Sequence, residues 1–240
     1  MIKQFYWGLK KGVKFVEKNN PMRQQLQSFL DNKTDKELNE MINSIQTLMT
    51  YYKCAILEIE TKFRVLNEQF SMMHERNPIE SIRSRLKSMD SIREKLKRRN
   101  HEFSVGSIEE NLSDIAGVRI ICAFKDDIYM LADCLINQDD VKLIEKKDYI
   151  KNPKPNGYRS LHLIVEIPIF LQNEKKHIRV EVQLRTIAME SWANLEHRMR
   201  YKKNLPQELL EITNEELYEC AKLSSMLDEK MQNIRNMIEK

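Results

Sequence analysis

Glycine is scarce in this chain, with five among 240 residues, and neither GxxxxGK[ST] nor GxGxxG occurs. Both common backbone cradles for phosphate are thereby excluded, so phosphate must be held mainly by Lys and Arg side chains. Long apolar runs are also missing: the best, such as residues 118–124, fall far short of the roughly 20 residues a membrane helix needs. The start, Met1-Ile2-Lys3-Gln4, leads into no signal-peptide core, so no membrane partner is expected. The four cysteines, Cys54, Cys122, Cys134 and Cys220, form no CxxC pair, which predicts reduced thiols and a cytoplasmic location. No His/Cys cluster has zinc spacing, and no Ser/His/Asp or Cys/His order suits nucleophilic catalysis.

What remains is enough for one good core, with 41% hydrophobic residues, plus a helical accessory unit. A net charge of +4 is too small to announce a nucleic-acid binder. Residues 83–99 nevertheless hold eight Lys or Arg against Asp90 and Glu94, a local field that favours a polyanion. Taken singly, any one of these cations reads better as part of a solvated helix face.

Between Leu38 and Met73 apolar residues recur at steps of three and four, which predicts one long amphipathic helix stopped by Asn77-Pro78. Strands are predicted at 118–124, 141–144, 158–167 and 178–184, helices at 107–113 and 127–136, and a turn at 153–157. Past Thr186 the pattern is helical to the end. There Leu217, Cys220, Ser224, Leu227, Met231, Ile234 and Ile238 follow heptad spacing, a seam for self-association or for packing within the chain. The expected class is α+β: a mixed sheet flanked by helices, with a long N-terminal helix and a C-terminal helical extension. The expected division is 1–77 helical, 78–205 catalytic and 206–240 a helix for packing or oligomerisation.

Side chains alternate across a strand, so residues 178–185 put Ile178, Val180, Val182 and Leu184 on one face and Arg179, Glu181, Gln183 and Arg185 on the other. The preceding strand likewise places Tyr158, Ser160 and His162 opposite Leu161, Leu163 and Val165. Such a polar face is either solvent-exposed sheet or a site, and periodicity alone favours the exposed sheet. Asp114 stands at the entrance to the strand at 118–124, where a carboxylate can project past the strand end. With a second carboxylate from another strand it would suit magnesium, which takes hard oxygen ligands; alone, it would suit a cap.

Four segments together resemble the synthetase domain of the RelA/SpoT family, in its short single-domain form: Ile82 through Ser88 with Lys95 beyond, Asp114-Ile115-Ala116-Gly117-Val118-Arg119, Asn156-Gly157-Tyr158-Arg159-Ser160-Leu161-His162, and Glu181-Val182-Gln183-Leu184-Arg185-Thr186. A fifth, His197 to Lys202, is similar to the family's closing H-x-x-Y-K element. The resemblance implies a nucleotidyltransferase-like sheet and transfer of the β,γ-pyrophosphate of ATP to the 3′-hydroxyl of GDP or GTP, and of GMP as a further acceptor, with AMP released. It implies that Asp114 and Glu181 hold Mg2+, with Glu181 acting on the 3′-hydroxyl. It further implies that Arg85 and Arg119 clamp adenine, Tyr158 stacks on guanine, and Lys87, Lys95, Arg98 and His162 hold phosphates. Ser160, Gln183 and Arg185 are expected to line the same face.

The family's long members carry a hydrolase domain with a His-Asp pair; none occurs in this chain, so the resemblance implies synthesis without hydrolysis. Ile79-Glu80-Ser81-Ile82 lacks the aromatic residue on which an allosteric alarmone site in some short members is partly built. By the same resemblance the chain is expected to form a homo-oligomer, a tetramer by preference. Two other readings share these residues. One is a pyrophosphokinase for adenine nucleotides or RNA 3′ ends. The other is a non-catalytic module binding nucleotide or single-stranded RNA.

Overall fold

The computed structural model describes residues 35–74, 76–200 and 206–239. The expectations for residues 1–34, and for Tyr201 and Lys202 of the fifth segment, lie outside the described residues. The chain forms two compact units, Met1–Met49 and Thr50–Lys240. In the first, the described part is the start of helix α1 (Asp35–His74), with Leu38, Ile42, Ile45 and Leu48 buried along one stripe. In the second unit, Tyr52, Ile56, Ile59, Phe63 and Leu66 of α1 are buried at steps of three and four. The helix predicted from periodicity is therefore present. On its polar face Lys62 pairs with Asp140 at 2.7 Å, and the Tyr51 hydroxyl donates to Glu174 Oε1 at 2.6 Å.

Five strands, β1 (Ile79–Leu86), β2 (Ala116–Cys122), β3 (Lys142–Asp148), β4 (Leu161–Phe170) and β5 (Lys175–Thr186), form one sheet in the order β1-β2-β5-β4-β3. Only β2 and β5 run parallel; the other neighbours are antiparallel. The predicted α+β class and four of the strands are thus found. Sequence pattern does not show β1, which lies at the start of the basic segment. The reason is physical: β1 is an edge strand in which only Ile79 is buried, Ser81 and Ile82 are half-buried, and Glu80 and Arg83 through Leu86 are exposed. Such a strand carries almost no alternation of hydrophobicity.

One face of the sheet is apolar and closed. Val118 and Ile120, Leu161, Leu163, Val165 and Ile167, and Val180, Val182 and Leu184 are all essentially inaccessible. Each such side chain stabilises the fold by about 1.5–3 kcal/mol on burial. Helix α4 (Lys125–Ile136) packs on β5 and β2 and contributes the buried Ile128, Leu131, Ala132 and Leu135. Because successive residues alternate, closing this face obliges β2, β4 and β5 to turn their polar residues to the other side.

Two short helices stand between β1 and β2. Helix α2 (Met89–Arg98) starts at Ser88, whose side chain accepts from Ser91 N, and buries Met89, Ile92 and Leu96. Just past its C-cap Arg99, Asn100 takes up the left-handed conformation with φ 59°. Helix α3 (Val105–Asn111) is capped in the same way by Ser104. After the sheet come α5 (Ile187–Arg200) and α6 (Gln207–Ile238). Trp192 and Ala193 of α5 bury themselves against Leu217 and Ala221 of α6. Leu217 is the one large apolar member of the heptad row that is buried; Leu227, Met231, Ile234 and Ile238 remain exposed. Among the described residues no helix is long and apolar enough to cross a membrane.

Candidate active site

Strand register brings the polar side chains into rows across the open sheet face. Arg83 of β1 lies opposite Arg119 of β2, which lies opposite Gln183 of β5, which lies opposite His162 of β4. One step along, Arg85, Gly117, Glu181 and Ile164 form a second row. Residues as far as 100 positions apart in sequence therefore project from the same surface. A cleft lined by Arg83, Arg85, Gly117, Arg119 and Gln183 opens on it. A second cleft of about 460 Å³, at the end of β1, is lined by Arg85, Lys87, Ser88, Lys95 and Arg98.

Gly117 shapes the first cleft. A Cβ there would sit 3.4 Å from Arg85 Cγ and 3.5 Å from Arg85 Nε, so the bare glycine leaves room for the Arg85 side chain to lie across the sheet. Arg85 and Arg98 make no hydrogen bond or ion pair among the described residues, and Arg119 is held through two N–H groups in the plane of its guanidinium. Its Nη1 donates to Glu190 Oε1 at 3.0 Å and its Nε to Gln183 Oε1 at 3.4 Å. Burial lowers the Arg119 pKa and the nearby Arg185 cation adds to this, with Glu190 opposing both. Guanidinium groups gripped by their edges keep flat faces available for stacking on an aromatic ring.

Asp114 precedes β2 and receives two ammonium groups on one oxygen: Lys87 Nζ at 2.7 Å and Lys95 Nζ at 2.6 Å from Oδ2. Its Oδ1 is buried and has no hydrogen-bond partner. Burial alone would raise the Asp114 pKa, but the two lysines outweigh it and hold the carboxyl below its ordinary value. Asp114 is therefore an ionised carboxylate at neutral pH.

Glu181 lies near enough for the Asp114 charge to push its pKa upward, against a stronger opposing effect. Burial also raises it, yet His162 and Gln183 bring the net shift below the ordinary value. His162 Nδ1 is 3.4 Å from Glu181 Oε1, and Gln183 Nε2 donates to Oε2 at 2.9 Å. On the other side of the ring, His162 Nε2 is 2.8 Å from the Tyr158 hydroxyl. The imidazole thus bridges the Glu181 carboxylate and the Tyr158 phenol.

Tyr158 follows Gly157, whose φ of +87° suits glycine, and whose missing Cβ would meet Ala221 Cβ at 2.5 Å. The turn is thus seated directly on α6. The Arg185 guanidinium and the Lys154 ammonium each lie 4.9 Å from the Tyr158 ring centroid, and Tyr149 meets the ring edge-on. Arg185 also donates to the Tyr158 hydroxyl and, at 3.1 Å, to Gln183 Oε1.

The structure gathers Arg85, Lys87, Lys95, Arg98, Asp114, Arg119, Tyr158, His162, Glu181, Gln183 and Arg185 around this face. Ser160 needs correction. It was expected to line the face, and the alternation points it there, but it is completely buried. Its hydroxyl donates to the Leu184 carbonyl and accepts from Arg185 Nε at 3.3 Å, so it braces an arginine instead of facing the cleft. Glu190 of α5 was missed. It accepts from Arg119 and Arg185 and is buried, yet no strand alternation or motif spacing distinguishes it in the sequence. Its one signal is position: it stands in the first turn of a helix that follows Arg185 without a loop.

The model described as "Region found in RelA / SpoT proteins" matches residues 84–205. GTP pyrophosphokinase YwaC of Bacillus subtilis (strain 168) is 42% identical over 205 residues, covering 85% of this chain and 96% of that protein. GTP pyrophosphokinase YjbM of the same organism is 35% identical over 193 residues, covering 78% and 87%. The crystal structure of small alarmone synthetase 1 from Bacillus subtilis, bound to its product pppGpp, superposes with a TM-score of 0.73 at 33% identity, covering 82% of this chain and 100% of that one. Small alarmone synthetase 2 from Bacillus subtilis superposes with a TM-score of 0.70 at 42% identity, covering 80% and 98%. Family region, near full-length relatives and fold agree: the chain belongs to the RelA/SpoT family.

Proposed function

We infer that this protein is a (p)ppGpp synthetase, which moves the β,γ-pyrophosphate of ATP to the 3′-oxygen of GDP or GTP and releases AMP. The observation that carries the reading is one surface on which an ionised carboxylate neighboured by two lysines, Asp114, stands beside a second ionised carboxylate, Glu181, with arginines and an aromatic ring on either side. Transfer of this kind asks chiefly for alignment and charge neutralisation.

Arg85 and Arg119 line the cleft beside Gly117 from adjacent strands, a slot suited to adenine. Lys87, Lys95 and Arg98 stand where the triphosphate would run, at the adjoining cleft. Tyr158 offers its ring to guanine, with Lys154 the cation that would move aside or pair with phosphate. Glu181, kept ionised, accepts the proton of the 3′-hydroxyl as that oxygen attacks the β-phosphorus. The bond from that phosphorus to the oxygen bridging to the α-phosphate breaks, and AMP leaves with the electron pair. His162 keeps Glu181 oriented by holding its Oε1 side. Gln183 does the same from Oε2.

Two carboxylates suit Mg2+, which completes its shell with water and substrate phosphates, and the unpartnered Oδ1 of Asp114 is a ligand atom of the right kind. When bound, the ion would neutralise phosphate charge and orient the transferred group. Asp114 and Glu181 are the residues that would hold it. We assign the catalytic part to residues 78–205, between the helical parts 1–77 and 206–240. The exposed row Leu227, Met231, Ile234 and Ile238 on α6 supports a homo-oligomer, a tetramer by preference. Free thiols and the lack of a membrane-spanning helix among the described residues support a cytoplasmic location.

The test is direct. The purified protein is incubated with γ-labelled ATP, magnesium and GDP, GTP or GMP, and products are separated by thin-layer chromatography, with Glu181→Gln alongside. Label in a guanosine tetra- or pentaphosphate from the wild type alone is expected. Label that stays in ATP while the protein is folded sinks the reading.

A further inference from the structure

Glu190 stands in the first turn of α5 and is only 5% exposed. Its Oε1 accepts from Arg119 Nη1 at 3.0 Å and from Asn194 Nδ2 at 3.0 Å, and lies 3.4 Å from Arg83 Nη1. Its Oε2 accepts from Arg185 Nη1 at 2.8 Å. Three guanidinium groups from three adjacent strands repel one another, and this carboxylate is what allows them to share one corner of the sheet.

Contacts leave Glu190 in two directions and meet again at Glu181. One path runs through Arg119 and Gln183, the other through Arg185, Tyr158 and His162. On the reading above, the first path carries an adenine-clamping arginine and the second carries the guanine platform. We propose that Glu190 is a positioning residue shared by both nucleotide subsites, holding Arg119 for the donor and Arg185 with Tyr158 for the acceptor. Its own oxygens are occupied by Arg and Asn donors, so it acts through the arginines and touches neither nucleotide. The edge-on grip matters because a guanidinium held by its edge keeps its faces for a base, whereas a released one is free to turn to the phosphates.

This inference rests on the synthetase reading, and the experiment separates the two. Binding of the non-hydrolysable ATP analogue AMPCPP and of GDP is measured separately by calorimetry for wild type, Glu190→Gln, Glu190→Asp and Asn194→Ala, each below its melting temperature. Glu190→Gln is expected to weaken both nucleotides about tenfold, the scale of one lost charge-assisted hydrogen bond at each subsite. Glu190→Asp, which restores the charge, is expected to recover part of both affinities. Glu190→Gln that binds either nucleotide as tightly as wild type overturns the shared role, whatever its melting temperature. Should Glu190→Gln fail to fold, Asn194→Ala decides: it removes one of the donors that fix Oε1, with no change of charge, so the carboxylate that grips Arg119 loosens and AMPCPP is expected to bind more weakly; an unchanged AMPCPP affinity overturns the proposal. A folded wild type that binds neither nucleotide defeats the synthetase reading itself.

Discussion

Arg85 of β1 and Gly117 of β2 are register partners, and the Arg85 side chain passes within 3.5 Å of where a Cβ on Gly117 would stand. The arginine lies over the glycine because nothing else occupies that part of the sheet. Gly117→Val fills it. The substitution suits a strand, so the melting temperature should not fall, while Arg85 is displaced and the KM for ATP rises about tenfold, equivalent to ~1.4 kcal/mol. Steady-state kinetics varying ATP at fixed GDP checks this. An unchanged KM would show that Arg85 is not part of the donor site.

Glu181 and Asp114 differ in what their loss should do. Glu181→Gln keeps the size of the side chain and removes the proton acceptor, so kcat should fall by roughly 10²–10⁴ with little change in nucleotide affinity. Asp114→Asn leaves Lys87 and Lys95 without their shared acceptor charge. It should lower kcat too, and also move the magnesium dependence to higher concentration. Rates measured across a magnesium series distinguish the two variants.

Tyr158→Ala should weaken GDP by about 1–3 kcal/mol, the usual value of a base stacked on an aromatic ring, and leave AMPCPP binding nearly unchanged. Tyr158→Phe keeps the ring and loses the hydroxyl that joins His162 to Arg185. It should bind GDP with most of the wild-type affinity. Equal losses for Ala and Phe would mean that the hydroxyl, not the ring face, matters.

Glu190 supplies a pH test with a defined sign. Burial raises its pKa, Arg119 and Arg185 lower it further than that, and the net folded value lies below the ordinary 4.5. A depressed folded pKa gives stability that is fully present above the unfolded value and is lost as pH falls through the folded one. Removing this buried charge should therefore cost about 3 kcal/mol at pH 7, and the gap to Glu190→Gln should close below pH 4.5. Denaturant titrations of both proteins from pH 7 to 3.5 check this. A gap that stays constant would show that the Glu190 charge contributes nothing to stability.

Gly157→Ala should be destabilising by more than 1 kcal/mol, because it combines a φ of +87° with a methyl group 2.5 Å from Ala221 Cβ. The turn would lift off α6 and carry Tyr158 with it. Thermal unfolding together with the KM for GDP should both worsen.

How much of this was legible in sequence depends on how local the signal is. Alternation along residues 178–185 placed Glu181, Gln183 and Arg185 on one face, and the structure has them there, since period two is intrinsic to a strand closed on one side. Step-three and step-four spacing found α1 for the same kind of reason. Edge strand β1 was illegible because its Arg83 and Arg85 belong to the open face and little of it is buried. Ser160 points to the expected face but is covered by Arg185, a fact that depends on which rotamer a neighbour on another strand adopts. Glu190 was invisible for a further reason: it meets Arg119 across 71 residues and Arg83 across 107, and only the finished fold brings them together.

Strand β5 ends at Thr186 and helix α5 begins at Ile187, with Thr186 Oγ1 accepting from Met189 N at 3.1 Å and donating to Asp228 Oδ2 at 2.8 Å. Because no loop intervenes, the junction has no slack to absorb a length change. One residue inserted after Thr186 would rotate Glu190 by about 100° around the helix and take its carboxylate away from Arg119 and Arg185. The interval between the catalytic carboxylate and its supporting one should thus tolerate substitutions far better than insertions or deletions, in contrast to the turn at 153–157.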